Sequence, residues 1–241
     1  MSSICQRRND CINRTRARGM SRPVIIFGAT DLARLANHYL TNQLGRSVSA
    51  YVVDSEWMPE EQTGAIPVVD FASALSKYPP ESTDAFVAIG YRSMRARQQM
   101  LERVIDYRYS LCCIIAPGAN ISPNASIGAN AFIHPGAVIE PFTTIGSNAV
   151  IWSNAVVCHD ARLGDHTFVA AGAVIGGHAS VGSRCFVGFG ATILQHVTVG
   201  NDVLVAAGSM IRCDAKALGA YRGTPARRVS EIDPMHGVTL G

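Results

Sequence analysis

The sequence is poor in aromatic residues (7%) and in charged ones (16%), although 48% of it is hydrophobic. Ala, Val and Ile therefore carry the apolar share, which implies regular packing of small side chains rather than a core built on large rings. That apolar content excludes a disordered chain. No uninterrupted apolar run approaches the ~18 residues of a membrane span, so no membrane insertion is expected. The 7 cysteines form no C-x-x-C pair. This argues against a zinc or disulfide framework and for a reduced, cytoplasmic protein. Residues 1–19 hold Arg7, Arg8, Arg14, Arg16 and Arg18 against Asp10, a charge of +4; with +3 overall, the remainder carries −1. A near-neutral body offers nothing to nucleic acid. Residues 1–20 lack the apolar stretch of a secretory signal and read as a disordered basic tail.

What is present is a repeat. Stepping by six from Ile115 through Ile121, Ile127 and Ile133 to Ile211 meets an aliphatic residue at all seventeen positions. Four residues after each stands a mostly small partner, from Ala119 and Ala125 to Ala191 and Ala215. No helix has this period, and a half-buried strand alternates by two. Gly128, Gly146, Gly164, Gly182 and Gly200 add a second period of 18. Three hexads therefore make one turn of a triangular coil of short parallel strands. The aliphatic residue points inward and the small one fits near a corner. Coils stack at ~4.8 Å, so the repeat builds a prism of roughly 27 Å. One coil cannot bury its own core, but a stack can.

The preceding residues read as alternating strands and helices, hence a parallel sheet. Residues 24–27, 48–53 and 85–89 are strand-like, and 64–69 reads as a short strand or hairpin. Helical spacing appears after residue 31, over 72–78 and over 92–107. Thr30 or Asp31 is positioned to cap the first helix. A strand, the turn at Gly28, a helix N-terminus and the later Asp54 make half of a mononucleotide-binding pattern. Only one glycine of that pattern is present, and Asp31 would repel a phosphate there. A nucleotide site and a plain α/β unit remain equally open on these residues.

A small α/β unit feeding a hexad coil resembles the hexapeptide-repeat sugar acetyltransferases of the PglD/NeuD type. The resemblance implies a Rossmann-like α/β unit followed by an all-β left-handed parallel β-helix. The divisions are 21–112 for the acceptor-binding domain, 113–216 for the β-helix and 217–241 for a C-terminal extension on the coenzyme side. It also implies a homotrimer, acetyl-CoA as donor in the groove between neighbouring prisms, no metal, and a sugar or nucleotide-sugar acceptor.

Acyl transfer from a thioester needs a base for the attacking group and donors for the developing oxyanion. Histidine suits the first role. His178 and His196 share one hexad position, 18 apart, with Asp160 a turn before and Asp214 a turn after. These four are expected to form a polar column along one edge, with His159 beside it. Within the segment Cys158-His159-Asp160-Ala161-Arg162-Leu163-Gly164, His159 matches the family's base and Asp160 its orienting acid. Gly177 matches the amide that meets the thioester carbonyl. Arg222-Gly223-Thr224-Pro225-Ala226-Arg227-Arg228 resembles the family's closing motif. Arg227 and Arg228 are then candidates for coenzyme phosphates, and Ala206 and Ala207 for its pantetheine arm. Gly28, Asp54, Gly90, Trp152 and His166 are the acceptor-binding candidates. Two departures stand out. The loop Gly28-Ala29-Thr30-Asp31-Leu32-Ala33 lacks the family's further glycines and histidine, and Trp152 stands where some members carry Asn. The rival readings are a non-catalytic trimeric scaffold and a zinc enzyme resembling the carbonic anhydrases of this fold.

Overall fold

The computed structural model describes residues 22–61 and 64–240; the basic tail expected at 1–20 lies outside them. Five strands open the chain: β1 (Val24–Phe27), β2 (Val48–Val53), β3 (Val68–Asp70), β4 (Asp84–Val87) and β5 (Ser110–Leu111). They form one sheet in the order β3-β2-β1-β4-β5, with every pairing parallel. β1 is buried at all four residues, which is why it reads as an unbroken apolar run rather than an alternation.

Three helices cover the sheet: α1 (Asp31–His38), α2 (Phe71–Lys77) and α3 (Met94–Asp106). Asp70 caps α2 by accepting from the Ser73 amide at 3.0 Å, and Ser93 caps α3 by accepting from the Ala96 amide at 3.1 Å. α1 departs from expectation. Thr30 occupies its N-cap position, but its side chain makes no capping bond. The Asp31 carboxylate pairs instead with Arg34 at 3.0 Å.

From Ile114–Ile115 to Met210–Ile211 the chain lays down two-residue strands, each parallel to the strand 18 residues later, as in Val138↔Val156 and Val156↔Val174. They form three faces of a triangular prism. Face one carries Ile114, Phe132, Val150, Phe168, Phe186 and Leu204 outward. Face two carries Asn120, Val138, Val156, Val174, Thr192 and Met210. Face three carries Ser126, Thr144, Arg162, Ser180 and Thr198. The hexad aliphatics, Ile151 and Val169 among them, and the small partners Ala149 and Ala155 are fully buried inside. The glycines spaced by 18 lie where successive coils pass closest. A Cβ on Gly146 would sit 2.6 Å from the Asp165 amide nitrogen, inside contact distance.

Each corner turns through a residue with positive φ, and the three corners differ chemically. Between faces one and two this position holds Gly118, Gly136, Asn154, Gly172, Gly190 and Gly208. Between faces two and three it holds Phe142, Asp160, His178 and His196, and between faces three and one Asn130, Asn148, His166, Arg184 and Asp202. Asn, Asp and His tolerate this conformation better than most non-glycine residues.

The α/β unit sits on face one and on the corner between faces three and one. Phe132, Val150, Phe168 and Phe186 bury against Val24, Ile26, Phe86 and Met94. Beside this apolar contact runs a polar ladder. Asn130 accepts from the Val87 amide at 2.7 Å and donates to the Val87 carbonyl at 3.0 Å. Asn148 donates to the Arg97 carbonyl at 3.0 Å. Arg97, fully buried, returns bonds to the carbonyls of Asn148 and Ile89. Asp202 ends the ladder, paired with Arg184 and Arg95. These paired groups fix the angle at which the two units meet, because each would be costly to leave unpaired; in the ladder only the Nε atoms of Arg95 and Arg97 lack a partner among the described residues.

The last coil breaks the period. Val199 pairs with Ala215 and Leu204 with Ala220, sixteen residues on rather than eighteen. Ala215 therefore takes a strand position instead of the corner expected of it. Asp214 is drawn beside Thr198, whose amide it accepts at 2.8 Å, and leaves the polar column. Face one then continues into a hairpin, Gly219–Gly223 and Ala226–Glu231. Residues 234–240 return to α3, where the Met94 amide bonds the Val238 carbonyl at 3.1 Å.

Burial also sets the pH response. His134 and His166 are both held down to about 4 by desolvation. Each titrates near 6.5 in an unfolded chain, so between these values the unfolded state binds more protons. The stability they allow is complete above about 6.5 and lost as pH falls towards 4. Thermal unfolding midpoints measured from pH 7 to 4 should fall over this interval. His166→Asn, which keeps a polar left-handed residue at the corner, should flatten the fall; an unchanged slope would remove His166 as a cause.

Candidate active site

The strand Val156–Val157 on face two delivers His159 to the corner between faces two and three. Two residues past the aliphatic, the main chain turns away from its neighbours and its N–H finds no ladder partner. This is the hexad position where the sequence places Pro117, Pro123, Pro135 and Pro141, residues without an N–H to lose. At His159 that amide is taken up by Glu140, whose carboxylate accepts it at 2.7 Å. At Gly177, the same position one coil later, the N–H has no hydrogen-bond partner among the described residues.

The His159 side chain is 55% exposed and that of Asp160 40%, so both face solvent at the prism edge. Asp160 Oδ2 lies 3.0 Å from His159 Nδ1. An ionised carboxylate can only accept, so Nδ1 carries the imidazole proton and Nε2 keeps its lone pair. The Nε2–Cε1 edge of the ring lies against Gly177: a Cβ built there would meet Nε2 at 2.8 Å and Cε1 at 2.9 Å. An imidazole nitrogen with a free lone pair thus lies against a residue whose backbone N–H is unpaired. That is the pairing acyl transfer requires, a proton acceptor next to an oxyanion donor.

The column next to His159 consists of Asp160, His178 and His196. His178 and His196 stack in parallel, with centroids 4.8 Å apart and planes 7° apart. His178 stands edge-on to His159 at 5.2 Å, with its Nε2 3.8 Å from Asp160 Oδ2. His159, Asp160 and His178 offer three metal-ligand atoms, all within 4.8 Å of one another.

The acceptor candidates lie elsewhere. Gly28, Asp54 and Gly90 sit just beyond the carboxyl ends of β1, β2 and β4. The strand order reverses between β1 and β4, the place where open α/β sheets present a crevice. Gly28 turns at φ +118°, and a Cβ there would meet the Ala88 carbonyl oxygen at 2.8 Å. Asp54 is already ion-paired with Arg103, which lies 3.7 Å over the Phe71 ring. Trp152 opens the corner between faces one and two, stacked on His134 at 3.9 Å, and His134 stacks in turn on Phe132 at 4.1 Å. His166 belongs to the docking ladder, 3.1 Å from Asn148 through Nδ1 and buried. It is away from the His159 corner.

The coenzyme candidates are also divided. Gly177 is at the His159 corner. Ala206 and Ala207 follow Leu204–Val205 into the corner between faces one and two, at the end of the hairpin where Arg227 pairs with Arg222. Arg228 instead turns its guanidinium back to the Leu218 carbonyl at 2.7 Å, at the corner between faces three and one. Within one chain, face two separates these sets, and the α/β unit covers face one, opposite His159. Sequence reasoning missed Glu140. Its signal was the proline pattern, which marks the residue-159 amide as needing a partner.

Comparison with known proteins agrees with this architecture. The family model "Bacterial transferase hexapeptide (six repeats)" matches residues 142–177, and "Hexapeptide repeat of succinyl-transferase" matches 178–213. Among solved structures, the GDP-perosamine N-acetyltransferase of Caulobacter crescentus is 31% identical. It covers 89% of this chain and 99% of its own, with a TM-score of 0.79. That structure is of a histidine-to-alanine variant in complex with CoA and GDP-perosamine. The acetyltransferase domain of PglB from Neisseria gonorrhoeae FA1090, in complex with acetyl coenzyme A, is 27% identical, with a TM-score of 0.77 over 86% of this chain and 99% of that one. No curated protein sequence matches the chain. No helix among the described residues is long and apolar enough to cross a membrane. The prism is the left-handed parallel β-helix of hexapeptide repeats, and the chain belongs to the hexapeptide-repeat sugar acetyltransferases.

Proposed function

We propose that the protein transfers an acetyl group from acetyl-CoA to an amine or hydroxyl of a nucleotide-linked sugar, with His159 as general base. The observation that carries the reading is the juxtaposition of His159 Nε2 with the unpaired Gly177 N–H. The acceptor's lone pair attacks the thioester carbonyl carbon while Nε2 takes its proton. The carbonyl π electrons move to oxygen, where the Gly177 N–H stabilises them. As the carbonyl re-forms, the C–S bond breaks and the CoA thiolate takes the proton from the imidazolium. Asp160 keeps Nδ1 protonated throughout. Direct attack needs no covalent enzyme intermediate and no metal.

The acceptor would lie in the crevice beyond β1 and β4, and the protein would act as a homotrimer. A single chain supports this by being incomplete: its crevice and its base lie on opposite sides of one prism. Face two is the fitting contact. Its Val138, Val156 and Val174 stay half-buried in an isolated chain, and no charged residue stands among its outward positions. Three prisms turning face two towards a common axis would bring Trp152, Ala206 and Ala207 of one chain beside the His159 corner of the next. Coenzyme would then lie between them, with Arg227 near its phosphates; Arg228 would have to leave the Leu218 carbonyl to join it. We assign the reaction to the cytoplasm, where the donor is made; Cys158, Cys185 and Cys213 are unbridged there.

The test is acetylation of a panel of nucleotide-linked amino sugars, their hydroxyl analogues and free sugars, with products read by mass spectrometry. His159→Ala should lose about 100- to 10,000-fold in kcat, the usual worth of a general base, while acetyl-CoA still binds. Persistent turnover would dismiss His159. Asp160→Asn should cost less, because it affects orientation rather than proton transfer. Gly177→Ala, whose methyl would displace the imidazole, should cost about 100-fold in kcat, with the unfolding midpoint little changed. Wild-type turnover in that variant would show that the imidazole need not lie against Gly177.

A further inference from the structure

The corner that holds His159 carries more nitrogen and oxygen donors than proton transfer uses. Asp160 Oδ2 is 3.0 Å from His159 Nδ1 and 3.8 Å from His178 Nε2, one oxygen facing two imidazoles. The three side chains are 55%, 40% and 48% exposed, so an ion can reach them and small torsions can close them. His178 is held in place twice. Its amide donates to the His159 carbonyl at 3.0 Å, and its ring stacks on His196. We infer that His159, Asp160 and His178 form a binding site for a divalent transition metal, which inhibits the enzyme when bound.

Two imidazoles and one carboxylate are a donor set for zinc, cobalt or nickel rather than for calcium or magnesium, which take oxygen ligands. Tetrahedral bonds of about 2.0–2.2 Å place ligand atoms a little over 3 Å apart. Two of the three separations, 3.0 and 3.8 Å, bracket that spacing, and the third is within 4.8 Å, which a small rotation of the His178 ring would close. Three protein ligands leave a fourth position for water, the arrangement of an accessible site.

The inhibitory effect follows from the imidazole and rests on the reading of His159 as the base. A neutral imidazole has one proton. In the metal-free state it sits on Nδ1, bonded to Asp160, and Nε2 is free. A metal on Nδ1 sends that proton through solvent to Nε2, with none gained or lost. Nε2 then points an N–H at Gly177 and cannot accept a proton from the acceptor. Asp160, drawn onto the metal, no longer orients the ring. Coenzyme binding does not need either group to be a base, so kcat should fall first.

The probes are ZnCl2 for inhibition and CoCl2 for binding, since cobalt in a tetrahedral site absorbs visible light and needs no acceptor. Zinc should inhibit turnover at micromolar concentration and EDTA should restore it. Cobalt should give visible bands saturating at one ion per chain. His178→Asn keeps a residue suited to positive φ and stays outside the catalytic pair. It should turn over within about twofold of wild type, yet need about 100-fold more zinc, since even the outer partners of a metal ligand are worth about 10- to 100-fold in affinity. It should also lose the cobalt bands. Equal zinc sensitivity in His178→Asn would trace inhibition to other groups, such as the exposed Cys213 thiol, and overturn the site. Absent cobalt bands in the wild type would overturn it as well. Bands in a protein whose His159→Ala variant still turns over would instead keep the metal site and dismiss the base.

Discussion

Every feature of this protein depends on the hydrogen bonds that one coil makes to the next. Val156 N donates to the Ala173 carbonyl at 2.9 Å, Val174 N to Ala191 at 2.9 Å, and Thr192 N to Ser209 at 2.8 Å. These bonds lock residue i beside residue i+18. Any side chain repeated at that spacing then becomes a column on the surface. Chemistry that would be scattered along a flexible chain is gathered along three edges of a rigid prism.

The three edges divide the work. One is mostly glycine, with Asn154 the exception, and so carries almost no side chains at its turns. A second, from Asn130 to Asp202, is consumed in holding the α/β unit, where buried amides and Arg97 interlock with main-chain carbonyls. The third keeps its imidazoles in solvent. His159 and His166 show how far environment separates one residue type. The first is half-exposed and oriented by Asp160, while burial keeps the second neutral as part of a scaffold.

The prism was legible in advance because a single rule is repeated without interruption from Ile115 to Ile211. The α/β strands were legible on a smaller scale: 24–27 is an apolar run between Pro23 and Gly28, 48–53 a mostly apolar run ending at Asp54, and both strands have those limits. The pairing of His159 with Asp160 needed only adjacency. The end of the repeat was misread, because the hexad pattern gives no sign that the final coil shortens by two residues. That shortening is decided by the hairpin, whose Gly219–Gly223 strand must pair with Leu204–Val205. It carries Asp214 out of the column that the spacing had assigned to it.

The sequence by itself determined the coil, its period of eighteen and the residues that fall on each edge, because a periodic pattern permits only one register of stacking. It did not determine which edge would be covered. That depended on contacts between residues more than forty positions apart, such as Asn130 with Val87 and Asn148 with Arg97. Nor did it reveal that Glu140 takes up the His159 amide, or that the Gly177 amide is left without a partner. A hydrogen bond across coils has no local signature, since its two ends are neighbours only once the chain has wound past itself. The same winding puts His159 and the crevice on opposite sides of one prism, a placement that only the folded chain shows.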